Sequence, residues 1–73
     1  MYRKATGVHF DGPYADQDKH GDEFPYWTVS LIDDDGEPVG TVYTVHSYSK
    51  ADALASKIAR DRRVELVCDA SPA

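Results

Sequence analysis

The chain has a single cysteine, Cys68, in 73 residues. One thiol cannot close an intramolecular disulfide, nor can it supply a cysteine-based zinc site within one chain, so the sequence suits a reducing compartment. Long hydrophobic runs are also missing: no window approaches the ~20 apolar residues that a membrane-spanning helix needs. The start, Met1-Tyr2-Arg3-Lys4, carries positive charge like a signal peptide, but His9, Asp11 and Pro13 follow where an apolar run belongs. A cytoplasmic protein with no membrane partner is expected. Internal repeats, low-complexity segments and specific nucleotide-binding or catalytic motifs are absent as well, so no enzyme and no cofactor are expected.

What is present is enough for one domain spanning residues 1–73. At 41% hydrophobic residues the chain can build one core, and domains of this size bury only about 60% of the surface their unfolded chains expose. A second chain covering an apolar face would add stability, which makes a homodimer an open possibility.

The net charge is −5, from 13 acidic and 8 basic residues, and it is unevenly placed. Between Asp11 and Glu37 nine carboxylates face one lysine, Lys19. Between Lys50 and Arg63 five basic residues face two acidic ones. A chain with two electrical ends is suited to charge-steered contact with a partner.

The hydrophobic pattern predicts the elements. Thr6, Val8 and Phe10 alternate within a first strand over Tyr2–Phe10. Residues 11–25 hold Gly12-Pro13, Gly21 and Pro25 among acidic residues and read as a long acidic loop, the kind of segment that carries a binding site. Tyr26–Ile32 alternates cleanly, with Trp27, Val29 and Leu31 on one face. Asp33-Asp34-Asp35-Gly36-Glu37 then matches a type I turn closed by a left-handed glycine. That turn sets Leu31 against Val39, Val29 against Thr41 and Trp27 against Tyr43. The opposite face of this hairpin, with Tyr26, Ile32 and Val42, is half apolar and suits a contact surface.

Ser49, with Asp52 three residues later, resembles a capping box. Ala51, Leu54, Ala55, Ile58, Ala59 and Arg62 fall on one stripe of the helix that follows. Val64–Cys68 reads as a last strand and residues 69–73 as a frayed tail. The expected fold class is α+β, in the order β-β-β-α-β. A four-stranded, mainly antiparallel sheet would carry one helix on one face, with the last strand parallel to the one before the helix.

Several residues invite chemistry. Asp16-Gln17-Asp18-Lys19-His20-Gly21 resembles the opening of a calcium loop, yet His20 stands where a hard oxygen ligand belongs and Trp27 where a bidentate glutamate belongs. His9, His20 and His46 have no spacing that demands a metal. Cys68 could be a nucleophile only with a base beside it, and on the last strand of a small domain a cysteine suits packing in the core or at a sheet edge. No metal site is therefore expected.

From Trp27 to Val67 the chain joins a tryptophan-bearing hairpin to an alanine-rich helix opened by Ser49-Lys50-Ala51-Asp52-Ala53, closed by Val64-Glu65-Leu66-Val67. This pattern resembles small bacterial β-β-α-β domains and, more loosely, the antitoxin domains of the HicB type, which share the order strand, strand, strand, helix, strand. The resemblance implies that element order and carries no functional residue.

Two functions follow as expectations. The first is a small interaction module that binds a protein partner or itself through its sheet and acidic loop, using Asp16, Asp18, Asp22, Glu23, Tyr26, Ile32 and Val42. The alternative is a nucleic-acid-associated regulator using Lys50, Lys57, Arg60, Arg62 and Arg63, with tyrosines supplying stacking surfaces.

Overall fold

The computed structural model describes residues 4–72. Tyr2 and Arg3, expected in the first strand, and Ala73 of the expected tail lie outside the described residues. The elements run β1 (Gly7–Gln17), β2 (Glu23–Ile32), β3 (Pro38–Val45), α1 (Tyr48–Arg62) and β4 (Glu65–Ala70). The expected order β-β-β-α-β is thus present, as a small α+β domain with one helix over a four-stranded sheet.

The sheet order is β3-β2-β1-β4. The first three strands form an antiparallel meander, and β4 pairs with β1 in parallel, so the sheet is mixed. β4 runs in the same direction as β3, as expected of a strand-helix-strand unit, but it lies at the far edge, with β2 and β1 between them. The helix crosses the sheet to bring it there.

Apolar alternation decides which face the helix covers. Val8 and Phe10 on β1 share a face with Leu31 and Val29 on β2, because residues opposite one another in a ladder point the same way. Val8, Phe10, Val29 and Trp27 meet Ala51, Ala55 and Ala59, and these seven side chains form the buried core, with Leu31 partly buried against it. The helix presents alanine at every buried position, so its backbone sits close to the sheet and the larger Leu54 and Ile58 pack at its flanks. Arg62, last on the same stripe, is exposed at the helix end.

The segment expected to be a loop over residues 11–25 is instead the far half of a long hairpin. β1 and β2 stay paired out to Gln17 and Glu23, with a bulge between Asp11 and Tyr14. Gly12 makes that bulge possible. Its φ is +133°, and a Cβ there would lie 2.7 Å from Cδ1 of Trp27, so only glycine fits.

The loop between these strands, Asp18-Lys19-His20-Gly21-Asp22, repeats the geometry of the second hairpin turn. In each, the first aspartate's N–H donates to the carbonyl of the fifth residue and its own carbonyl accepts from the glycine N–H. Its carboxylate also accepts from the third and fifth backbone N–H groups.

The second hairpin starts in the expected register, with Asp33 opposite Glu37 and Ile32 opposite Pro38. It then shifts by two residues at a bulge, where Gly40 takes φ +82°. Val29 therefore faces Tyr43 instead of Thr41, and Trp27 faces Val45 instead of Tyr43. A shift of two keeps every side chain on its expected face.

Two helix and tail expectations change. The N-cap is Ser47, not Ser49: its Oγ accepts from the backbone N–H of Lys50. The helix therefore begins two residues early, and Asp52 lies beyond capping reach. The tail is tied down, since Asp69 and Ala70 belong to β4, the Ser71 N–H donates to the Gly12 carbonyl and the Trp27 indole N–H donates to the Ser71 carbonyl at 3.0 Å.

Candidate functional site

Among the described residues no element covers the face of the sheet opposite the helix, and the chain's unassigned chemistry gathers there. Register puts His9, Asp11, Tyr14 and Asp16 of β1 on this face with Phe24, Tyr26 and Thr28 of β2, Val42 and Thr44 of β3, and Glu65, Val67 and Asp69 of β4. His46, just past β3, continues the same side.

Aromatic rings line one end of it. Tyr14 and Tyr26 sit opposite each other just beyond the Gly12 bulge, with ring centroids 5.3 Å apart and stacked. The imidazole of His46 lies 5.1 Å from the ring of Phe24 and 6.3 Å from that of Tyr26. A two-stranded ribbon is marginal on its own, so these contacts support the projecting hairpin as well as forming a surface. Pro13 and Pro25 flank Tyr14 and Phe24 around a shallow hollow on the ribbon.

Beside the rings stand two carboxylates in register on adjacent parallel strands, Asp11 and Asp69. Asp11 accepts from its neighbour Gly12 N–H and from the hydroxyl of Tyr14. That hydrogen bond, together with desolvation and the negative charge of Asp11, holds the Tyr14 hydroxyl above the ordinary tyrosine range. Asp69 is bonded to Nε2 of His9 at 2.7 Å.

A histidine oriented by a carboxylate is a component of many acid–base sites, but it needs a group to act on. Cys68 is exposed on the edge strand, on the opposite face, with its Sγ 3.8 Å from the carbonyl of Ala70. Ser47 and Ser49 bond each other at the helix cap. Neither arrangement joins a nucleophile to His9. Among the described residues no three His, Cys, Asp or Glu side chains come together as a metal ion would require.

The expected partner-binding residues are only partly united. Asp16, Tyr26 and Val42 share the open face, whereas Asp18 and Asp22 form the tip turn and Glu23 begins β2 on the other side of the ribbon. Ile32 is on the open face too, but at the opposite end of the sheet, between Gly7 and Pro38. His9, Asp11, Tyr14, Phe24, His46 and Asp69 belong to the face without having been singled out as partner contacts. A signal for them exists in the sequence: Asp18-Lys19-His20-Gly21-Asp22 has the spacing of Asp33-Asp34-Asp35-Gly36-Glu37, and a hairpin turn there makes strands of what flanks it.

The basic residues lie on the other side of the molecule. Lys50 and Lys57, seven residues apart, share the solvent side of α1, and Lys57 pairs with Asp61 at 2.6 Å, which holds the Asp61 carboxyl below its ordinary range. Arg60, Arg62 and Arg63 surround the helix end. Of the tyrosines expected to stack bases, Tyr48 packs inward against Phe10 and Trp27, Tyr14 is on the open sheet face and Tyr2 lies outside the described residues, whereas the exposed Tyr43 is on the helix side of β3.

No protein-family model, no curated protein and no solved structure matches this chain. Among the described residues no helix is long and apolar enough to cross a membrane.

Proposed function

We propose that the chain is a small cytoplasmic interaction module, without catalytic activity of its own, that engages a protein partner through the open face of its sheet. The observation that carries this reading is the exposure of large side chains on that face: Tyr14 at 42%, Val42 at 48% and Val67 at 37%, next to a ladder of rings. Exposed apolar and aromatic side chains grouped on one side of a small domain favour a contact surface. The single cysteine favours a reducing compartment.

Pairing of two such faces in a two-fold dimer is disfavoured. It would bring Asp11, Asp16, Glu65 and Asp69 of one copy toward the same carboxylates of the other. A different chain is the better partner. The nucleic-acid alternative is weakened because Tyr14 is across the sheet from the helix cations and Tyr48 packs inward, whereas a single strand needs stacking surfaces and cations along one path.

The test is capture from host extract with three forms of the protein. The wild type and a Lys57→Glu/Arg60→Glu helix variant are expected to retain the same partner, and a Val42→Ser/Val67→Ser variant, which removes exposed apolar side chains from the face without changing its charge, to lose it. Loss from the helix variant with retention by the sheet variant would show that the helix side carries the function.

A further inference from the structure

We infer that the open sheet face receives a lysine- or arginine-bearing segment of the partner protein, with the aromatic ladder as its platform and the surrounding carboxylates as its counter-charges. The inference rests on the reading that this face meets a protein, and it specifies the chemistry of what meets it.

The argument starts from where the charges fall. Among the described residues no lysine or arginine lies in any of the four strands. Lys19 is in the tip turn, Lys4 precedes β1, Arg3 is outside the described residues, and the other five lie on the helix or at its end, on the far side of the sheet. Among the described residues the open face carries Asp11, Asp16, Glu65 and Asp69, with His9 and His46 as its basic groups, and His9 is bonded to Asp69. The molecule is thus charged by side: negative on the bare sheet, positive on the helix. A face of that kind repels phosphates and a second copy of itself, and it attracts cations.

The rings turn attraction into a site for a side chain. Lysine and arginine have apolar stems and charged heads, and both lie favourably across aromatic rings. The stacked Tyr14 and Tyr26 offer such a surface beside Asp11 and Asp16, with His46 and Phe24 extending it. An equally acidic part of the chain, the Asp33–Glu37 turn, lies apart from the Tyr14–Tyr26 and Phe24–His46 rings and serves as an internal control.

The experiment is a titration of the full-length protein, followed through its backbone amides, with three capped peptides of equal length: hexa-arginine, hexaserine and hexaglutamate. Hexa-arginine is expected to shift Tyr14, Tyr26, Thr28, Thr44 and His46 selectively and to weaken as salt is raised. Replacing two carboxylates of the face, as Asp11→Asn/Asp69→Asn or as Asp16→Asn/Glu65→Gln, should lower its affinity about three- to tenfold, the scale of two exposed ion pairs. The turn variant Asp34→Asn/Asp35→Asn changes net charge equally and should stay within about twofold, as its charges lie off the site.

If the turn variant weakens binding as much as the face variants, the attraction is generic and the inference fails. If hexaserine moves the face amides as strongly as hexa-arginine, or hexa-arginine moves none of them, the cationic specificity is wrong. The partner-capture comparison above, which makes no assumption about charge, then decides separately whether the face binds a protein.

Discussion

Tyr14 and Tyr26 face each other across the long hairpin with their rings stacked at 5.3 Å, and the hydroxyl of Tyr14 turns back to the carboxylate of Asp11 three residues before it. This pair links the fold to its surface. The bulge at Gly12 separates it from the helix-covered core, and the same bulge keeps both rings on the bare side of the sheet.

The Tyr14–Asp11 bond predicts a pH effect with a definite sign. The neutral phenol is the form favoured in the fold, so the interaction contributes below the ordinary tyrosine range near 10 and is lost as pH rises through the higher value Tyr14 takes in the folded chain. An ultraviolet titration of the five tyrosines should show one ionising later than an unperturbed residue. Asp11→Asn should bring it back toward the ordinary range. A titration curve unchanged by that substitution would show that Asp11 is not its cause.

Gly12→Ala should be among the most damaging small substitutions in the chain. The added methyl would meet Cδ1 of Trp27 at 2.7 Å and the carbonyl of Tyr26 at 3.0 Å, at a backbone angle alanine avoids. A loss of about 2–3 kcal/mol is expected from strain of this kind. Urea unfolding followed by Trp27 fluorescence measures it, and a loss under about 0.5 kcal/mol, the scale of an ordinary surface change, would mean the bulge is not needed.

The C-terminal segment should matter to stability. Trp27 is 3% exposed, and its indole N–H reaches only the carbonyl of Ser71 in the described structure. Ending the chain at Ala70 would leave a buried donor unsatisfied, costing about 1–3 kcal/mol. A truncated protein with an unchanged urea midpoint would restore the picture of a frayed tail.

Arg63→Gly should stabilise the protein. Arg63 closes the helix in the left-handed region, at φ 55° and ψ 46°, while Val64 N–H caps the carbonyl of Ala59. Glycine takes that conformation without a Cβ penalty, and a gain of about 0.5–1 kcal/mol is expected. Thermal unfolding of the two proteins provides the comparison.

Much of this architecture is legible in the residues themselves. The alternation of Trp27, Val29 and Leu31 and the 3–4 spacing of Ala51, Ala55 and Ala59 depend on local periodicity, which survives into the fold because both faces are buried against each other. The Asp33–Gly36 turn is likewise local. What the residues conceal comes from two bulges and one long-range pairing. Gly12-Pro13 and Pro25 carry the marks of a loop, and a bulge absorbs the first while Pro25 sits on the exposed ribbon. Gly40 shifts the second hairpin by two residues without disturbing its faces. The placement of β4 beside β1 is a matter of tertiary packing, and it alone brings Asp69 to His9 and into register with Asp11, residues nearly sixty positions apart. The Asp11, His9 and Asp69 part of the site is hidden because it forms only when β4 pairs with β1, whereas the ring ladder belongs to the β1–β2 hairpin and the end of β3.

The most direct test of the central claim is photo-crosslinking in the host from single positions. A photoreactive phenylalanine analogue at Thr44, exposed on the open face of edge strand β3, should give a discrete adduct with another protein. The same residue at Asp52, exposed on the helix, should give none. Adducts from Asp52 alone, or equal labelling from both positions, would contradict the assignment of the sheet face as the binding surface.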